Sequence, residues 1–183
     1  MTATPAELLL ANWLGALAVE TRDIVDAALA GGRRDADMAA LLTLSEFPST
    51  LVGDLATVLG LSPSATVRVV DRLCVDGLAT RGPTAAGDAR QVSLALTRKG
   101  IAEAERLQLS RLDALRGLVR PLDPAERKQL ASLLDRMLRA RPRARSVARN
   151  TCRYCIHSAC RGPVCPVGSS VDAATPSRRH EDR

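Results

Sequence analysis

The chain has 183 residues and a formal net charge of +6, and it contains one Trp, one Tyr and one Phe. This length argues against two domains, and the shortage of aromatics requires an aliphatic core, which favours packed helices. Residues 1–138 hold 16 Lys+Arg and 17 Asp+Glu (−1), whereas residues 139–183 hold 10 Arg and three acidic residues (+7). Bulk charge therefore cannot explain any affinity of the first 138 residues for nucleic acid.

A targeting or membrane segment is not expected near the start. The apolar run from Leu8 to Val19 is interrupted by Asn12 and Gly15, follows no basic segment, and is too short to span a bilayer. We therefore predict a cytoplasmic protein without membrane association. Thiols stay reduced in that compartment, so clustered cysteines favour metal binding over disulfides.

Two helices are predicted at the start of the chain. Thr4-Pro5-Ala6-Glu7 forms a capping box with Pro at the first helical position, and the helix stops at Gly31-Gly32. This helix has too many apolar positions for one buried stripe, which favours contact with a partner chain. A second helix is predicted from about Asp37 to Glu46, and Pro48 ends it.

The next stretch has helix-turn-helix spacing. Leu51 to Leu59 predicts one helix, Gly60 the turn, Ser62-Pro63 the start of a second helix, and Gly77 its end. The helical period predicts that four positions face inward: Thr66, Val69, Val70 and Leu73. Five are expected to face outward: Ser64, Ala65, Val67, Arg68 and Arg72.

A β-hairpin and two more helices complete the pattern. The turn-rich segment 82–88 lies between Leu78–Arg81 and the alternating Gln91–Leu96, which predicts a hairpin with a polar tip. Thr97 is expected to cap a long helix that Pro121 breaks, and Asp123-Pro124-Ala125-Glu126 to open a Leu-rich last helix. Regular structure is predicted to end at Arg141-Pro142. We divide the chain into a folded unit, residues 1–141, and an Arg- and Cys-rich extension, residues 142–183, that needs a ligand to hold it.

This order of elements resembles the MarR family of winged-helix regulators over roughly residues 5–140. The resemblance is carried by Leu59-Gly60-Leu61-Ser62, Val70-Asp71-Arg72-Leu73, Asp76-Gly77-Leu78, Asp88-Ala89-Arg90, Leu94-Ala95-Leu96-Thr97 and Gly100. It implies a mainly α fold with a small β-hairpin wing, dimerising through the N- and C-terminal helices. It also implies double-stranded DNA as partner, read by a homodimer at a near-palindromic operator. Ordinary intrachain packing remains the alternative for the apolar faces of those helices.

DNA contacts are expected from the outward side of residues 62–72 and from the wing. Ser62 starts the recognition helix, Ser64 can hydrogen-bond to a base or phosphate, and Ala65 and Val67 can touch a thymine methyl. Arg68 suits a guanine or a phosphate, and Arg72 suits the DNA backbone. The resemblance implies that Arg90, oriented by Asp88, enters the minor groove. Relatives often carry a second Arg where this chain has Ala89, so weaker wing contacts are expected. The alternative is that these residues are solvated charges or a hairpin salt bridge.

A cysteine cluster follows, with four cysteines in fourteen residues: Cys152, Cys155, Cys160 and Cys165. Its gaps of two, four and four, with Pro166 directly after, favour an iron–sulfur cluster, and zinc is the alternative. His157 is a candidate substitute ligand, although a solvated role fits it as well. Cys74 is expected to be structurally neutral. Five arginines precede the cluster, and they fit either phosphate contact or a solvated approach to the metal loop: Arg139, Arg141, Arg143, Arg145 and Arg149.

We therefore predict a sequence-specific transcriptional regulator and favour a repressor over an activator. Its four-cysteine site is predicted to tune DNA binding to redox state, gases or iron. The alternative is a regulator that senses a small organic effector, with structural zinc in its extension. No Gly-rich phosphate loop and no catalytic Ser–His–Asp or Cys–His set is evident, and both His lie in the extension. An enzyme is not expected.

Overall fold

The computed structural model describes residues 3–29, 34–83 and 92–171. Its α-helices are α1 Pro5–Ala28, α2 Asp35–Glu46, α3 Val52–Leu59, α4 Pro63–Val75, α5 Arg98–Val119, α6 Pro124–Arg139 and α7 Arg145–Thr151. Its strands are β1 Thr50–Leu51, β2 Ala79–Pro83 and β3 Val92–Leu96, and two short 3-10 turns follow α7 at Gly162–Val164 and Gly168–Ser170. Within these ranges, no helix combines the length and the hydropathy that crossing a bilayer requires.

The predicted helix starts are confirmed. The backbone N–H of Thr4 donates to Glu7 at 2.7 Å, and that of Asp123 donates to Glu126 at 2.8 Å, so both capping boxes form. The side chain of Ser62 caps α4 and that of Thr97 caps α5. These ends form as predicted because a cap satisfies backbone donors only a few residues away.

The predicted hairpin pairs as β2 and β3, and β1 adds a third strand to give the antiparallel order β1-β3-β2. The sheet is joined to α5 by a close contact at Gly100. A Cβ there would lie 1.9 Å from the Leu78 carbonyl oxygen, so only glycine fits. The Thr97 hydroxyl also donates to the Gly77 carbonyl at 2.7 Å, which fixes the start of α5 against the end of α4.

The main core is aliphatic and surrounds α2. Ala39, Ala40 and Leu41 of this helix are fully buried. Fully or almost fully buried leucines from the neighbouring elements pack around it: Leu55, Leu73, Leu78, Leu94 and Leu107. This single core holds α2–α5 and the sheet together as one winged helix-turn-helix unit.

Helices α1 and α6 contain no buried residue, although Val25 near the end of α1 packs against the main core. Large apolar side chains are instead exposed on both helices, including Leu10, Trp13 and Leu14 on α1 and Leu133 and Met137 on α6. The apolar surface of α1 therefore exceeds what the described part of its own chain covers, as the pattern predicted.

The prediction that regular structure ends at Arg141-Pro142 is wrong. Helix α7 and the two 3-10 turns form a second small cluster with buried Ala148, Cys152, Cys165 and Val167. We call residues 145–171 the cysteine module. The module packs on the winged-helix unit, since α7 lies against α3. Sequence periodicity missed it because α7 has seven residues, too few to show a helical stripe.

Candidate DNA-reading surface and cysteine module

Helix α4 separates a buried side from an exposed one. The four side chains predicted to face inward are all buried, with at most 2% of their surface exposed. On the other side lie Ser62, Ser64, Ala65, Val67 and Arg68, which we call the recognition face; Ala65 is half-buried and the other four are exposed. Val67 is apolar yet 41% exposed, so the described chain leaves a large part of it open to solvent. The hydroxyls of Ser62 and Ser64 lie 3.3 Å apart at the helix start.

The two arginines of α4 differ in their surroundings. Arg68 is exposed and has no ion-pair partner in the described part of the chain. The guanidinium of Arg72 instead donates two hydrogen bonds to Asp37, one from Nε at 3.1 Å, and these bonds raise the pKa of Arg72. Asp37 is 5% exposed, and a buried carboxylate requires such a partner. This differs from the outward orientation predicted for Arg72, whose contact with DNA stays a prediction.

The base of the wing is tied to α4. Nη2 of Arg81 on β2 lies 2.7 Å from the Asp71 carboxylate on α4. Residues 84–91, and with them Asp88 and Arg90, lie outside the described residues, so their predicted roles stay predictions. The Asp71–Arg81 pair was not predicted. The sequence could have indicated it, because an acidic and a basic residue lie on two consecutive elements, α4 and β2.

The thiols of the cysteine module lie near one another. All five cysteines of the chain are free, and Cys152 and Cys165 are buried. Hydrogen bonding to Cys155, with burial, raises the pKa of Cys152 far above its usual range. The same contact lowers the pKa of Cys155 to about 6, with help from the Arg111 guanidinium and against the effect of burial. Burial, and then the neighbouring Cys165, raise the pKa of Cys160.

These thiols do not form a ready coordination site. Across residues 3–29, 34–83 and 92–171, no three or more His, Cys, Asp or Glu side chains are arranged to hold a metal ion. His157 packs its ring against Phe47, with centroids 4.8 Å apart, which directs it to the end of α2. The donor set therefore suits a thiophilic metal in chemistry and burial, whereas coordination requires the thiols to draw closer together.

Tyr154 and Asn150 anchor the module to the winged-helix unit, and neither was singled out in the sequence. The Tyr154 carbonyl accepts hydrogen bonds from Gln108 and Arg111 of α5, and its hydroxyl donates to the Asp35 carboxylate of α2. Burial and that carboxylate raise the pKa of Tyr154. The Asn150 side chain donates to the Val58 carbonyl of α3 at 2.9 Å. The one available signal was that the only tyrosine in the chain lies beside Cys155.

Three of the five arginines at 139–149 are engaged within the chain. Arg139 donates to the Pro163 carbonyl at 2.9 Å, Arg143 donates to the Leu138 carbonyl at 3.0 Å, and Arg149 pairs with Asp54 at 3.2 Å. Arg141 and Arg145 are exposed and have no partner in the described part of the chain. Two of these contacts, from Arg139 and Arg149, join the module to α6 and to α3.

Among the cavities of the described structure, two place arginines beside the module. One of about 460 Å³ lies between α1, α2 and α5 and is lined by Arg22, Arg111, Arg153 and Tyr154 among others. Another of about 490 Å³ lies over the thiols and is lined by Arg145, Arg149 and Arg161 as well as Cys160. Both combine apolar surface with arginine side chains, and the first also contains the carboxylates of Asp26 and Asp35.

The fold and part of the sequence match known proteins. The sequence model of the MarR family matches residues 32–91. The structure of Rv1404 from Mycobacterium tuberculosis is similar, with 26% identity and a TM-score of 0.64, covering 75% of this chain and 95% of that one. Wild-type MarR from Escherichia coli in its apo form has 24% identity and a TM-score of 0.60, covering 75% and 99% of the two chains.

A third similar structure is MepR, a transcription regulator of the Staphylococcus aureus multidrug efflux pump MepA. It has 18% identity and a TM-score of 0.61, and the match covers 75% of this chain and 98% of that one. No curated protein matches the chain. The family match spans α2 through β2, and the fold agrees over nearly the full length of these neighbours. The chain therefore resembles the MarR family of winged-helix transcriptional regulators in the sequence of residues 32–91 and in its fold.

Proposed function

We propose that this protein is a sequence-specific DNA-binding repressor that acts as a homodimer on a near-palindromic operator. The observation that carries the proposal is the recognition face of α4, four of whose five residues are exposed opposite a fully buried side. A helix presented in this way fits the major groove, and its first residues then meet base edges. The MarR fold supports the same assignment.

The side chains of the recognition face suit different parts of the groove. Arg68 is exposed and free of an ion pair in the described chain, so it is available to a guanine edge or a phosphate. Val67 offers an exposed apolar surface for a thymine methyl. The serine hydroxyls at the helix start suit bases or phosphates. Arg90, oriented by Asp88, extends the contact into the minor groove.

The dimer is proposed to form through α1 and α6. Both helices expose several large apolar side chains, and Trp13 of α1 is 63% exposed. Burying apolar surface of this size against a second copy removes it from water and stabilises the pair. Two recognition helices then face half-sites about one helical turn apart.

Selection of duplexes from a randomised pool tests DNA reading. We expect the protein to enrich a near-palindromic sequence, and Arg68→Ala to weaken binding by about 1–3 kcal/mol with relaxed preference at one position. Arg68→Lys separates the two contacts, because lysine retains a phosphate contact but loses bidentate recognition of guanine. Arg116→Ala is the matched control, since Arg116 is an exposed arginine on α5. Failure of the wild-type protein to enrich any sequence would contradict the proposal.

We further propose that Cys152, Cys155, Cys160 and Cys165 hold an iron–sulfur cluster that tunes DNA binding to redox state, gases or iron. Four thiols converge in one module, two of them are buried among Ala148 and Val167, and thiolates are the ligands that such clusters require. A bound cluster supplies a centre that oxidants and nitric oxide can alter. The residues of the module would hold it, shield it from water and connect it to α3 and α5.

Anaerobic purification with metal analysis and a visible spectrum tests the cofactor. A brown protein that contains iron and sulfide, and loses both in Cys155→Ser but not in Cys74→Ser, supports the cluster. Cys74 lies outside the module, which makes it the matched control. Zinc in a colourless protein supports the alternative of a structural metal. Four freely titrating thiols without metal would contradict both.

A small organic effector is the second candidate. The cavity of about 460 Å³ between α1, α2 and α5 places Arg111 and Arg153 beside the ring of Tyr154. Burial lowers the pKa of Arg111, so an organic anion that pairs with its charge would be favoured there. Benzoate is a suitable probe. This candidate requires benzoate to raise the melting temperature and to weaken binding to the selected duplex.

A further inference from the structure

Helix α7 of the cysteine module reaches the turn of the helix-turn-helix. We propose that Asn150 is a positioning residue for DNA reading: its side-chain amide fixes the turn between α3 and α4 and thereby orients the recognition face. This inference rests on the proposed DNA binding. It assigns the extension a direct part in DNA binding, in addition to holding any cofactor.

The hydrogen bond from Asn150 satisfies a carbonyl that α3 cannot satisfy itself. The last four carbonyls of an α-helix have no partner in the helix. At this end, the backbone N–H groups of Gly60 and Leu61 both donate to Ala56. The Val58 carbonyl instead accepts from Asn150 Nδ2 at 2.9 Å, across 92 positions of sequence. Asn150 therefore caps α3 from outside the winged-helix unit.

Gly60 leaves room for the close approach of the Asn150 side chain. It has a left-handed φ of +65°, and a Cβ built on it would lie 3.0 Å from Asn150 Nδ2. Glycine at this turn thus permits both the backbone conformation and the close approach of the amide. The chain runs from Gly60 through Leu61 to Ser62, the first residue of the recognition face. A shift of the turn is therefore transmitted directly to the start of α4.

Helix α7 also holds the opposite end of α3. Arg149 pairs with Asp54 in the first turn of α3, at 3.2 Å, so adjacent residues of α7 contact both ends of that helix. Helix α7 is anchored by Ala148, which is buried in the second cluster, and by Cys152 directly after its last residue. The position of the turn consequently depends on a helix whose end belongs to the cysteine cluster.

The core of the winged-helix unit does not depend on Asn150. Leu55 and Leu73 belong to the main core and are fully buried, whereas Ala148, the buried residue of α7, belongs to the second cluster. Loss of Asn150 is therefore expected to leave the protein folded while loosening the turn. This separates a positioning role from a purely structural one.

The test compares four variants on two DNA probes. Asn150→Leu retains the size but not the donor, Asn150→Ala removes both, and Asn150→Gln retains the amide. Thr151→Ala is the matched control, because the Thr151 hydroxyl donates only to Val147 of its own helix. The probes are the duplex that the wild-type protein selects from a randomised pool and a scrambled duplex of equal length, at one salt concentration.

We expect Asn150→Leu and Asn150→Ala to bind the selected duplex about tenfold more weakly, with scrambled-duplex affinity unchanged. Asn150→Gln recovers part of the loss, and Thr151→Ala binds as the wild type does. Hydrogen exchange provides a second readout. In the Asn150 variants, the amides of Gly60 and Leu61 exchange faster, whereas that of Val70 in α4 stays protected.

Equal affinity of Asn150→Leu and wild type for the selected duplex would overturn the inference and leave the proposed function intact. Faster exchange throughout α4, with both duplexes weakened alike, would also overturn it, because the role would then be structural. A wild-type protein that selects no duplex would overturn the proposed function and this inference with it.

Discussion

The winged-helix unit and the cysteine module are held together by different chemistry. The unit surrounds α2 with large aliphatic side chains, five of which are leucines with almost no exposed surface. The module buries only four small side chains, and its edges are held by hydrogen bonds from the Arg139 guanidinium to the Pro163 carbonyl and from the Arg143 backbone N–H to the Ser170 carbonyl. Burial of apolar area scales with side-chain size, so the unit has the larger reserve of stability. The module is the region in which a change at the thiols can alter structure without unfolding the rest.

The largest effect is expected in the main core. Leu73→Ala removes a fully buried side chain between α4 and α2, and it should lower the free energy of unfolding by about 2–5 kcal/mol. Urea unfolding at one protein concentration measures this. The matched control is Val75→Ala on the same helix, where the side chain is 86% exposed and a change below about 0.5 kcal/mol is expected. Similar losses in both variants would contradict the description of this core.

A smaller effect is expected at the ion pair that joins α4 to α2. Arg72→Ala leaves the buried Asp37 carboxylate without its partner, and it should cost about 1–2 kcal/mol, since solvent reaches the arginine side. Arg81→Ala removes an exposed partner of Asp71 and should cost less than about 0.5 kcal/mol. Urea unfolding of the two variants checks the order. A larger loss of stability in Arg81→Ala than in Arg72→Ala would mean that another group can pair with the Asp37 carboxylate.

The smallest effect is expected in the module. Val167→Ala trims one of its few buried side chains and should cost about 1 kcal/mol, confined to the module. Limited trypsin digestion measures this, because the arginines of the module become accessible when it opens. Val164→Ala, where the side chain is 68% exposed, should leave cleavage unchanged. Cleavage that increased equally in α2–α5 would show that the two regions unfold together.

The parts that could be predicted from the sequence depend on short-range chemistry. Capping residues, the turn at Gly60 and the period of Thr66, Val69, Val70 and Leu73 act within a few positions, so the helix-turn-helix was predicted residue by residue. The recognition face follows from the same period, as the complement of the buried side. Its DNA contacts, like the cofactor of the cysteines, stay predictions.

The parts that could not be predicted depend on contacts between distant positions. Asn150 meets Val58 across 92 positions, Tyr154 meets Asp35 across 119, and Arg72 turns to Asp37 across 35. A single sequence shows that these polar residues exist but not which of them meet. The same limit explains why the sequence left phosphate contact and solvation equally open for the five arginines at 139–149, when three of them bond within the chain.

The contact at Gly100 has a mechanical consequence. The Leu78 carbonyl lies so close to Gly100 that even a methyl group there would collide with it, and the Thr97 hydroxyl donates to the Gly77 carbonyl. These two contacts fix the end of α4 against the start of α5. We therefore expect the recognition helix and the 22-residue α5 to rotate together as one rigid body. A small tilt at the reading end becomes a larger displacement at Val119, more than 30 Å away along the α5 axis by the rise of roughly 1.5 Å per residue.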